Sequence, residues 1–400
     1  MNSVTLKKIV FVFLILCGFA YFNVCDKASA VDRDAELYKQ IELFSDAVTI
    51  IRSDYVENPE PKKLVYGALS GMLSSLDGYS QFLNPDEFKE MQIETKGEFG
   101  GLGIEIAMRD NTLTVIAPMD GTPAHKAGIK AGDKIIKIDG EMTQNITLTG
   151  AVKKLRGKPK TKVVLSILRK GEKELLDITI VRNVIKLKSI KTAKMLDGEL
   201  GYIKLIEFQE KTPDDLEKAL LVLREKGMKG LILDVRNNPG GLLDTAYEVS
   251  NKFLPEGKVI VSLDGRVPKQ NKTYKSRGKT NFADLPMVVL INKGSASASE
   301  IVAGAMQDNK RAAIVGTPSF GKGSVQTVVP LGDGSAVRLT TAAYHTPSGR
   351  VISNKGIIPD IEIEPDEEPD GAESDTPVKD NQLQAAIDVL QQEVAAKTKG

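Results

Sequence analysis

The first part of the chain shows apolar residues at helical spacing. They recur at intervals of three and four residues from Leu37 to Tyr55 and again from Leu64 to Leu76, which predicts two amphipathic helices. Asn84-Pro85 joins an N-cap residue to a proline at the first helical position, so we expect a third helix to begin there. We therefore predict a helical region over residues 31–95 that packs on the core or on a second subunit.

The next part of the chain, residues 96–183, has mainly the pattern of short strands. Apolar runs at Val163–Leu168 and Leu175–Val181 predict strands, and Thr147–Leu155 has helical spacing. A glycine turn at Phe99–Gly103 leads into another strand. Backbone N–H groups in such a turn can bind a carboxylate, and an edge strand beside it can bind an extended peptide.

Strands and helices alternate over residues 184–365, as in an α/β fold. The predicted order is strand Leu200–Ile206, helix Pro213–Arg224, strand Gly230–Val235, a turn through Gly240-Gly241 into a helix ending near Phe253, strand Met287–Ile291, helix Ala298–Asp308 and strand Ala312–Val315. A strand, a glycine turn and a helix N-terminus together present free N–H groups that can stabilise a negative oxygen.

Candidate chemistry lies in two turns of this α/β region. Ser295, Ser297 and Ser299 follow the strand Met287–Ile291, and Lys322 lies between two glycines. A serine needs a base to become a nucleophile, and lysine can serve if burial lowers its pKa towards neutrality. Gln326 could orient the amine. On the residues alone, the serines could equally cap the helix, and the lysine could belong to a solvated loop.

Two motifs link the hypothesis of a serine–lysine pair to a known family. Ser-Ala-Ser-Ala-Ser-Glu-Ile at 295–301 and Phe-Gly-Lys-Gly-Ser-Val-Gln at 320–326 resemble the signature of the carboxyl-terminal processing peptidases, or tail-specific proteases. The resemblance implies a serine endopeptidase in which Ser297 is the nucleophile, Lys322 the general base and Gln326 the residue that orients it. It also implies a multidomain α/β fold with an N-terminal helical arm, a PDZ domain, a protease core of the ClpP/crotonase type and a C-terminal helix.

The same resemblance assigns further residues. Asp234–Gly241 matches the family motif Asp-x-Arg-x-Asn-x-Gly-Gly. It implies an oxyanion hole formed by the N–H groups of Gly240 and Ala298, with Gly241 as the alternative to Gly240. We expect Asp234 and Arg236 to form a structural ion pair, and Glu300 to be structural rather than an acid–base group.

A second resemblance concerns substrate recognition. Ala-Gly-Ile-Lys-Ala-Gly-Asp-Lys-Ile at 127–135 resembles a bacterial protease PDZ domain, which implies that a substrate C-terminus binds near Leu102, Gly103 and Ile104. Arg156 matches a position that couples the PDZ domain to the protease, although it could instead be a charge at a helix C-terminus. The implied partners are proteins with apolar C-terminal tails, a second copy of the chain in a homodimer or higher oligomer, and a regulatory adaptor protein.

Both ends of the chain have segments of a different kind. Lys7-Lys8, the apolar run Ile9–Val24 and Ala28-Ser29-Ala30 predict a signal peptide over residues 1–30, with export to the periplasm or cell envelope. The alternative is an uncleaved membrane anchor. Residues 366–400 predict an acidic linker followed by a helix. Because Cys17 and Cys25 are the only cysteines, the cleaved chain would contain no disulfide.

Composition excludes several other functions. The formal net charge is +1 and no basic stripe is present, so we expect no nucleic-acid partner. The two histidines, His125 and His345, form no cluster with metal-ligand spacing, so we predict no metal and no cofactor. Gly316–Lys322 resembles a P-loop, but Gly323 replaces the required Ser or Thr and no helix follows. The remaining alternative to a protease is a catalytically silent PDZ scaffold that only binds tails.

Overall fold

The computed structural model describes residues 35–197, 199–278, 280–366 and 380–399. The predicted signal peptide and nearly all of the predicted acidic linker lie outside these ranges. Within them, no helix combines the length and the apolar character needed to cross a membrane. The chain divides into two compact units, residues 1–82 and 83–400.

The first unit contains the two predicted helices, α1 over residues 35–54 and α2 over Pro61–Ser74. A short strand, β1 (Gln81–Leu83), lies at the boundary between the units. Tyr66 of α2 stacks at a tilt on Phe82, with ring centroids 4.7 Å apart. Apolar side chains of α1 stay exposed, including Leu37 at 58%, Ile41 at 52% and Phe44 at 50%. The helical periodicity is therefore confirmed, but the apolar face of α1 is not buried within this unit.

The second unit begins with a helix and a β-rich region. Asn84 caps the first helix through a capping box with Glu87, as the Asn-Pro pair predicted. The elements are α3 (Pro85–Lys96), β2 (Glu98–Gly101), β3 (Ile104–Arg109), β4 (Thr112–Pro118), α4 (Pro123–Lys126), β5 (Lys134–Ile138), β6 (Glu141–Met142), α5 (Leu148–Leu155), β7 (Lys162–Leu168), β8 (Leu176–Val181) and β9 (Asn183–Lys186). The region buries one apolar core between its antiparallel sheet, of strand order β3-β4-β5-β7-β8, and its helices. Strands β2 and β9, at the start and the end of the region, pair with each other.

The rest of the second unit is an α/β core. Its elements are β10 (Ile190–Leu196), β11 (Leu200–Leu205), α6 (Thr212–Glu225), β12 (Gly230–Asp234), α7 (Leu243–Asn251), β13 (Val259–Asp264), a 3-10 turn (Pro268–Gln270), β14 (Lys272–Lys275), β15 (Met287–Ile291), α8 (Ala298–Asp308), β16 (Ala313–Gly316), β17 (Ser324–Pro330), β18 (Ala336–His345), β19 (Ile361–Glu362) and α9 (Asn381–Lys399). One sheet has the order β10-β11-β12-β15-β16-β19 and is parallel except for β10.

The mainly parallel sheet is covered on both faces, which explains its continuous apolar strands. Helices α6, α7 and α8 pack on one face, and α9 packs on the other through Ala386 and Leu390. Strands β12 and β15 are buried at every position. A second, antiparallel arrangement joins β17, β18, β13 and β14. Because β12, β15 and β16 are parallel neighbours, the turns that follow them meet at one edge of the sheet.

The helix predicted after Gly240-Gly241 is present and starts at Leu243, because Gly241 first forms a bridge with Phe208. The bridge is made by the N–H of Phe208, bonded to Gly240 O, and by the N–H of Leu242, bonded to Phe208 O. The glycine turn is thus anchored to the segment after β11, not to the first turn of α7.

Candidate active site

Ser297 lies in the turn between β15 and α8, where it is the N-cap residue of α8. Its backbone has φ 54° and ψ −112°, a conformation that a residue with a side chain rarely adopts. Strain of this kind persists only where the surrounding structure enforces it, and it is concentrated at functional sites. A serine held on a strained turn from strand to helix is also the arrangement that exposes a nucleophile.

The three serines of this turn have different surroundings. Ser295 is fully buried and donates its hydroxyl to Val235 O at 2.8 Å. Ser299 is fully buried and donates to Asn238 O at 2.8 Å. Both therefore fasten this turn to the turn after β12. Ser297 is only half-buried and lines an open cleft, so it is the one serine of the three placed to meet a substrate.

The cleft has a volume of about 440 Å³ and collects residues from distant parts of the chain. Ser297, Lys322 and Gln326, the three predicted catalytic residues, all line it. The other lining residues are Met91, Glu94, Thr95, Glu207, Phe208, Pro239, Gly241, Leu242, Leu243, Ile301, Ser324, Val325, Val328, Arg338 and Tyr344. The mixture of an apolar wall with a few convergent polar groups is typical of a binding site.

Lys322 follows β16 in a turn that only glycine permits on both sides. A Cβ on Gly321, which has φ +93°, would lie 3.1 Å from Asn354, and one on Gly323 would lie 2.4 Å from Ser353 Oγ. The side chain of Lys322 is half-buried. Burial lowers the pKa of Lys322, and the nearby charge of Arg338 lowers it further, while Glu300 opposes both effects. The net result is a lowered pKa, which is what a lysine needs in order to act as a base.

Glu300 joins the serine turn to the lysine turn. Its fully buried carboxylate accepts the N–H of Ser297 at 2.8 Å and the N–H of Lys322 at 2.9 Å. It also accepts the N–H of Gly321 at 2.7 Å and the hydroxyl of Ser319 at 2.6 Å. Glu300 is thus committed to backbone and hydroxyl donors. The sequence contained a signal for part of this, because Ser-x-x-Glu at a helix start is a capping-box pattern.

Gln326 and Tyr344 complete the wall around the lysine. The amide nitrogen of Gln326 donates to Ser324 Oγ at 2.9 Å and to Thr340 Oγ1 at 3.4 Å. The hydroxyl of Tyr344 donates to the carbonyl oxygen of Lys322. Tyr344 is almost fully buried, and sequence reasoning did not single it out for this contact because nothing local indicates which carbonyl it meets.

The predicted oxyanion residues lie against the serine turn. A Cβ on Gly240, which has φ +105°, would come within 2.7 Å of Ala296 O and 2.9 Å of Ala298 N. The N–H of Gly240, however, donates to Asn238 Oδ1 at 2.9 Å, as in a turn closed by an asparagine side chain. Among the described residues, the N–H groups of Gly241 and Ala298 donate to no other group. The N–H of Gly240 is therefore engaged within its own turn, unlike those of Gly241 and Ala298.

Asp234 and Arg236 are paired as predicted. Arg236 Nη2 lies 2.7 Å from Asp234 Oδ2, and the fully buried Asp234 also accepts the hydroxyl of Tyr202 at 2.7 Å. Burial alone would raise the pKa of Asp234, but its hydrogen bonds with Arg236 hold that pKa below the ordinary value. Neither residue lines the cleft, so both act on the turn rather than on a substrate.

The predicted tail-binding residues follow β2. Leu102 O accepts the N–H of Ala124 at 3.0 Å, and Gly103 O accepts the N–H of Met119 at 2.9 Å. The carbonyl groups thus point into the β-rich region, while the N–H groups of Leu102 and Gly103 donate to nothing in the described part of the chain. Ile104 begins β3 beside them. This is the arrangement that a carboxylate-binding turn needs.

Arg156 ends α5 and reaches α3. Its guanidinium pairs with Glu90 and lies 4.4 Å above the ring of Phe99. In a second ion pair between the same two helices, Lys153 Nζ of α5 lies 2.5 Å from Asp86 Oδ2 of α3. Three other residues of α3 line the cleft with Ser297. Helix α3 therefore contacts both the β-rich region and the cleft.

The two histidines of the chain have other surroundings. His125 is exposed, and its nearest acidic partner is Asp120 at 3.9 Å. His345 pairs with Ser262 in the sheet. Neither lines the cleft.

Comparison with known proteins matches each region to a family model. Residues 199–363 match peptidase family S41, residues 90–168 match the PDZ domain, and residues 22–87 match the N-terminal domain of the activating protease CtpB.

Full-length relatives agree. The chain is 47% identical over 367 residues to a carboxy-terminal-processing protease of Bartonella bacilliformis, covering 90% of this chain and 83% of the relative. It is 38% identical over 352 residues to a carboxyl-terminal-processing protease of Synechocystis, covering 85% and 80%. It is also 38% identical over 333 residues to the carboxy-terminal processing protease CtpB of Bacillus subtilis, covering 82% and 69%. The chain therefore belongs to the carboxy-terminal processing proteases, serine-type peptidases of family S41 that carry a PDZ domain.

Proposed function

We propose that this protein is an exported endopeptidase that binds the C-terminal tails of envelope proteins through its PDZ domain and processes or degrades them by a Ser–Lys mechanism. The observation that carries the proposal is one cleft lined by Ser297, Lys322 and Gln326. The lowered pKa of Lys322, caused mainly by burial, supports the role of base. The strained backbone of Ser297 supports the role of nucleophile.

The reaction proceeds through an acyl-enzyme. The neutral amine of Lys322 removes the proton of Ser297 Oγ while this oxygen attacks a backbone carbonyl carbon of the substrate. The C–N bond of the tetrahedral intermediate then breaks, and Lys322 passes the proton to the leaving amine. Water attacks the ester with Lys322 again as base, which releases the acid and restores Ser297. Gln326 limits the positions that the amine can occupy in the cleft.

The negative oxygen of the intermediate is stabilised by backbone N–H groups. Ala298 and Gly241 supply them, because the N–H of Gly240 is already used by Asn238. Ala298 is also the first residue of α8, so the helix dipole adds to its effect.

Tail binding takes place in the β-rich region, whereas cleavage takes place in the cleft of the α/β core. The free N–H groups of Leu102 and Gly103 bind the terminal carboxylate, and β3, beginning at Ile104, pairs with the extended tail. Helix α3 then connects recognition to the cleft, since Arg156 pairs with Glu90 on one part of it and Glu94 lines the cleft on another.

Location and assembly form part of the same proposal. The segment Lys7 to Ala30 directs export, either cleaved or retained as an anchor. The exposed apolar face of α1 joins two copies in a homodimer or a higher oligomer, since exposed apolar patches mark interaction sites. A regulatory adaptor protein controls access to the PDZ domain.

The test is cleavage of an unstructured protein with an apolar C-terminus. Wild type is compared with Ser297→Ala, Lys322→Ala and, as a matched control in the same turn, Ser295→Ala. We expect the first two variants to lose activity while they keep their fold and their tail binding. Ser295→Ala lowers stability and slows turnover far less than Ser297→Ala does, because its hydroxyl fastens the turn but does not line the cleft.

Two results would overturn parts of the proposal. Full activity in Lys322→Ala removes the lysine as base. If the wild-type protein binds the tail of the test protein but does not cleave it, with or without an added tail peptide, the silent PDZ scaffold is supported instead.

A further inference from the structure

The C-terminal helix is tied to the turn that carries Gly241, one of the two proposed oxyanion donors. Asp380, the residue before α9, accepts two hydrogen bonds from one guanidinium: Arg236 Nη1 is 2.8 Å from Oδ1, and Nη2 is 2.7 Å from Oδ2. A paired contact of this kind fixes orientation as well as distance. It joins residues separated by 144 positions in the chain.

The same carboxylate also organises the start of α9. Asp380 Oδ1 accepts the N–H of Leu383 at 3.0 Å, as an N-cap does. Gln382 adds a second link, because its Oε1 accepts from Arg236 Nη1 at 3.0 Å and its amide nitrogen donates to Ile363 O at 2.7 Å. The N-terminal end of α9 and the guanidinium of Arg236 are therefore held in place by the same contacts.

Arg236 transmits this position towards the reaction site. On its other side it is bonded to Asp234, at the end of β12. The residues on either side of it hold the serine turn, since Val235 O accepts from Ser295 and Asn238 O accepts from Ser299. Gly241, the second oxyanion donor, ends the same turn. A shift of Arg236 consequently moves this turn, and with it Gly241, relative to Ser297 and Ala298.

We propose that Asp380 is a positioning residue for catalysis, which clamps Arg236 so that the oxyanion turn has its productive geometry only while α9 is docked. The inference rests on the proposed oxyanion role of Gly241 and Ala298. It gives the C-terminal helix a role in turnover in addition to its role in covering the sheet.

The test compares three substitutions in the full chain. Asp380→Asn loses the charge and one acceptor oxygen towards Arg236, whereas Asp380→Glu keeps a carboxylate. Asp388→Asn is the matched control, because its carboxylate accepts only an exposed bond from Gln384 in the same helix. We expect kcat of Asp380→Asn to fall about 10- to 100-fold, as for a small misplacement of catalytic groups, with KM and tail binding unchanged. Asp380→Glu retains part of the kcat that Asp380→Asn loses, and Asp388→Asn keeps the kcat of the wild type.

A second measurement separates positioning from stability. A peptide aldehyde forms a tetrahedral adduct with the serine and needs the oxyanion donors, whereas a tail peptide does not. We expect Asp380→Asn to weaken aldehyde binding by the same factor as kcat/KM and to leave tail-peptide binding as in wild type. Unchanged kcat and aldehyde affinity, or a loss that disappears once the variant is fully folded at lower temperature, would overturn the inference. Activity that survives Ser297→Ala would overturn the proposed function instead.

Discussion

Replacement of Glu300 by glutamine tests how the two catalytic turns are held together. Each carboxylate oxygen accepts two of the principal bonds: Oε1 from Ser319 and Gly321, and Oε2 from Ser297 and Lys322. Glutamine has the same size but only one acceptor oxygen. Its NH₂ group must face either the first pair of donors or the second, so one pair is broken whichever way the amide turns.

The size of the effect follows from these bonds. A hydrogen bond to a charged acceptor contributes about 1.5–3 kcal/mol, so the loss of two lowers the free energy of unfolding by about 3–6 kcal/mol. That is a large share of the roughly 5–15 kcal/mol available to a typical domain. We also expect kcat to fall at least about 100-fold, because the serine and the lysine lose their common anchor.

The assay is urea unfolding followed by far-UV circular dichroism, since the chain contains no tryptophan, together with steady-state cleavage. Glu248→Gln is the control: its carboxylate pairs with an exposed arginine, Arg277, at 2.7 Å, and such pairs contribute about 0–1 kcal/mol. If Glu300→Gln were no less stable than the control and retained its kcat, the anchoring role of Glu300 would be refuted.

Four further results are expected. First, kcat/KM rises with pH as Lys322 loses its proton, at a pKa below that of a free lysine. Between the folded-state and unfolded-state pKa values of Lys322 the folded chain binds fewer protons than the unfolded chain, so the free energy of unfolding also rises with pH. Lys322→Met, measured by urea unfolding, removes this dependence of stability on pH. Second, Gly240→Ala abolishes cleavage, since its Cβ would lie 2.7 Å from a backbone oxygen at φ +105°; a variant with wild-type turnover would contradict the geometry of the turn. Third, Arg156→Gln and Glu90→Gln both lower tail-dependent cleavage, Arg156→Gln by the larger factor because it also removes the contact with Phe99, and the double variant loses no more than Arg156→Gln alone; additive losses would contradict this. Fourth, Phe44→Glu, at an exposed apolar position, dissociates the oligomer in sedimentation; an unchanged mass would exclude α1 as the interface.

Local sequence patterns were sufficient for many of the elements around the site. Met287–Ile291 and Ala298–Asp308 have the predicted bounds, because each pattern reports burial along a single strand or helix. Strands without a fully buried position, such as β10 and β14, were not predicted, since their stability comes from neighbours distant in sequence.

The sequence by itself determined the chemical inventory of this protein: the serine turn, the glycine-flanked lysine and the motif Asp234–Gly241. Only the tertiary structure showed where these parts lie. It buries the hydroxyls of Ser295 and Ser299 in bonds to another turn, and it leaves Ser297 lining one cleft with Lys322. The physical reason is that the hydroxyls of Ser295 and Ser299 meet acceptors 60 and 61 positions away in the chain, too far for any local pattern to record.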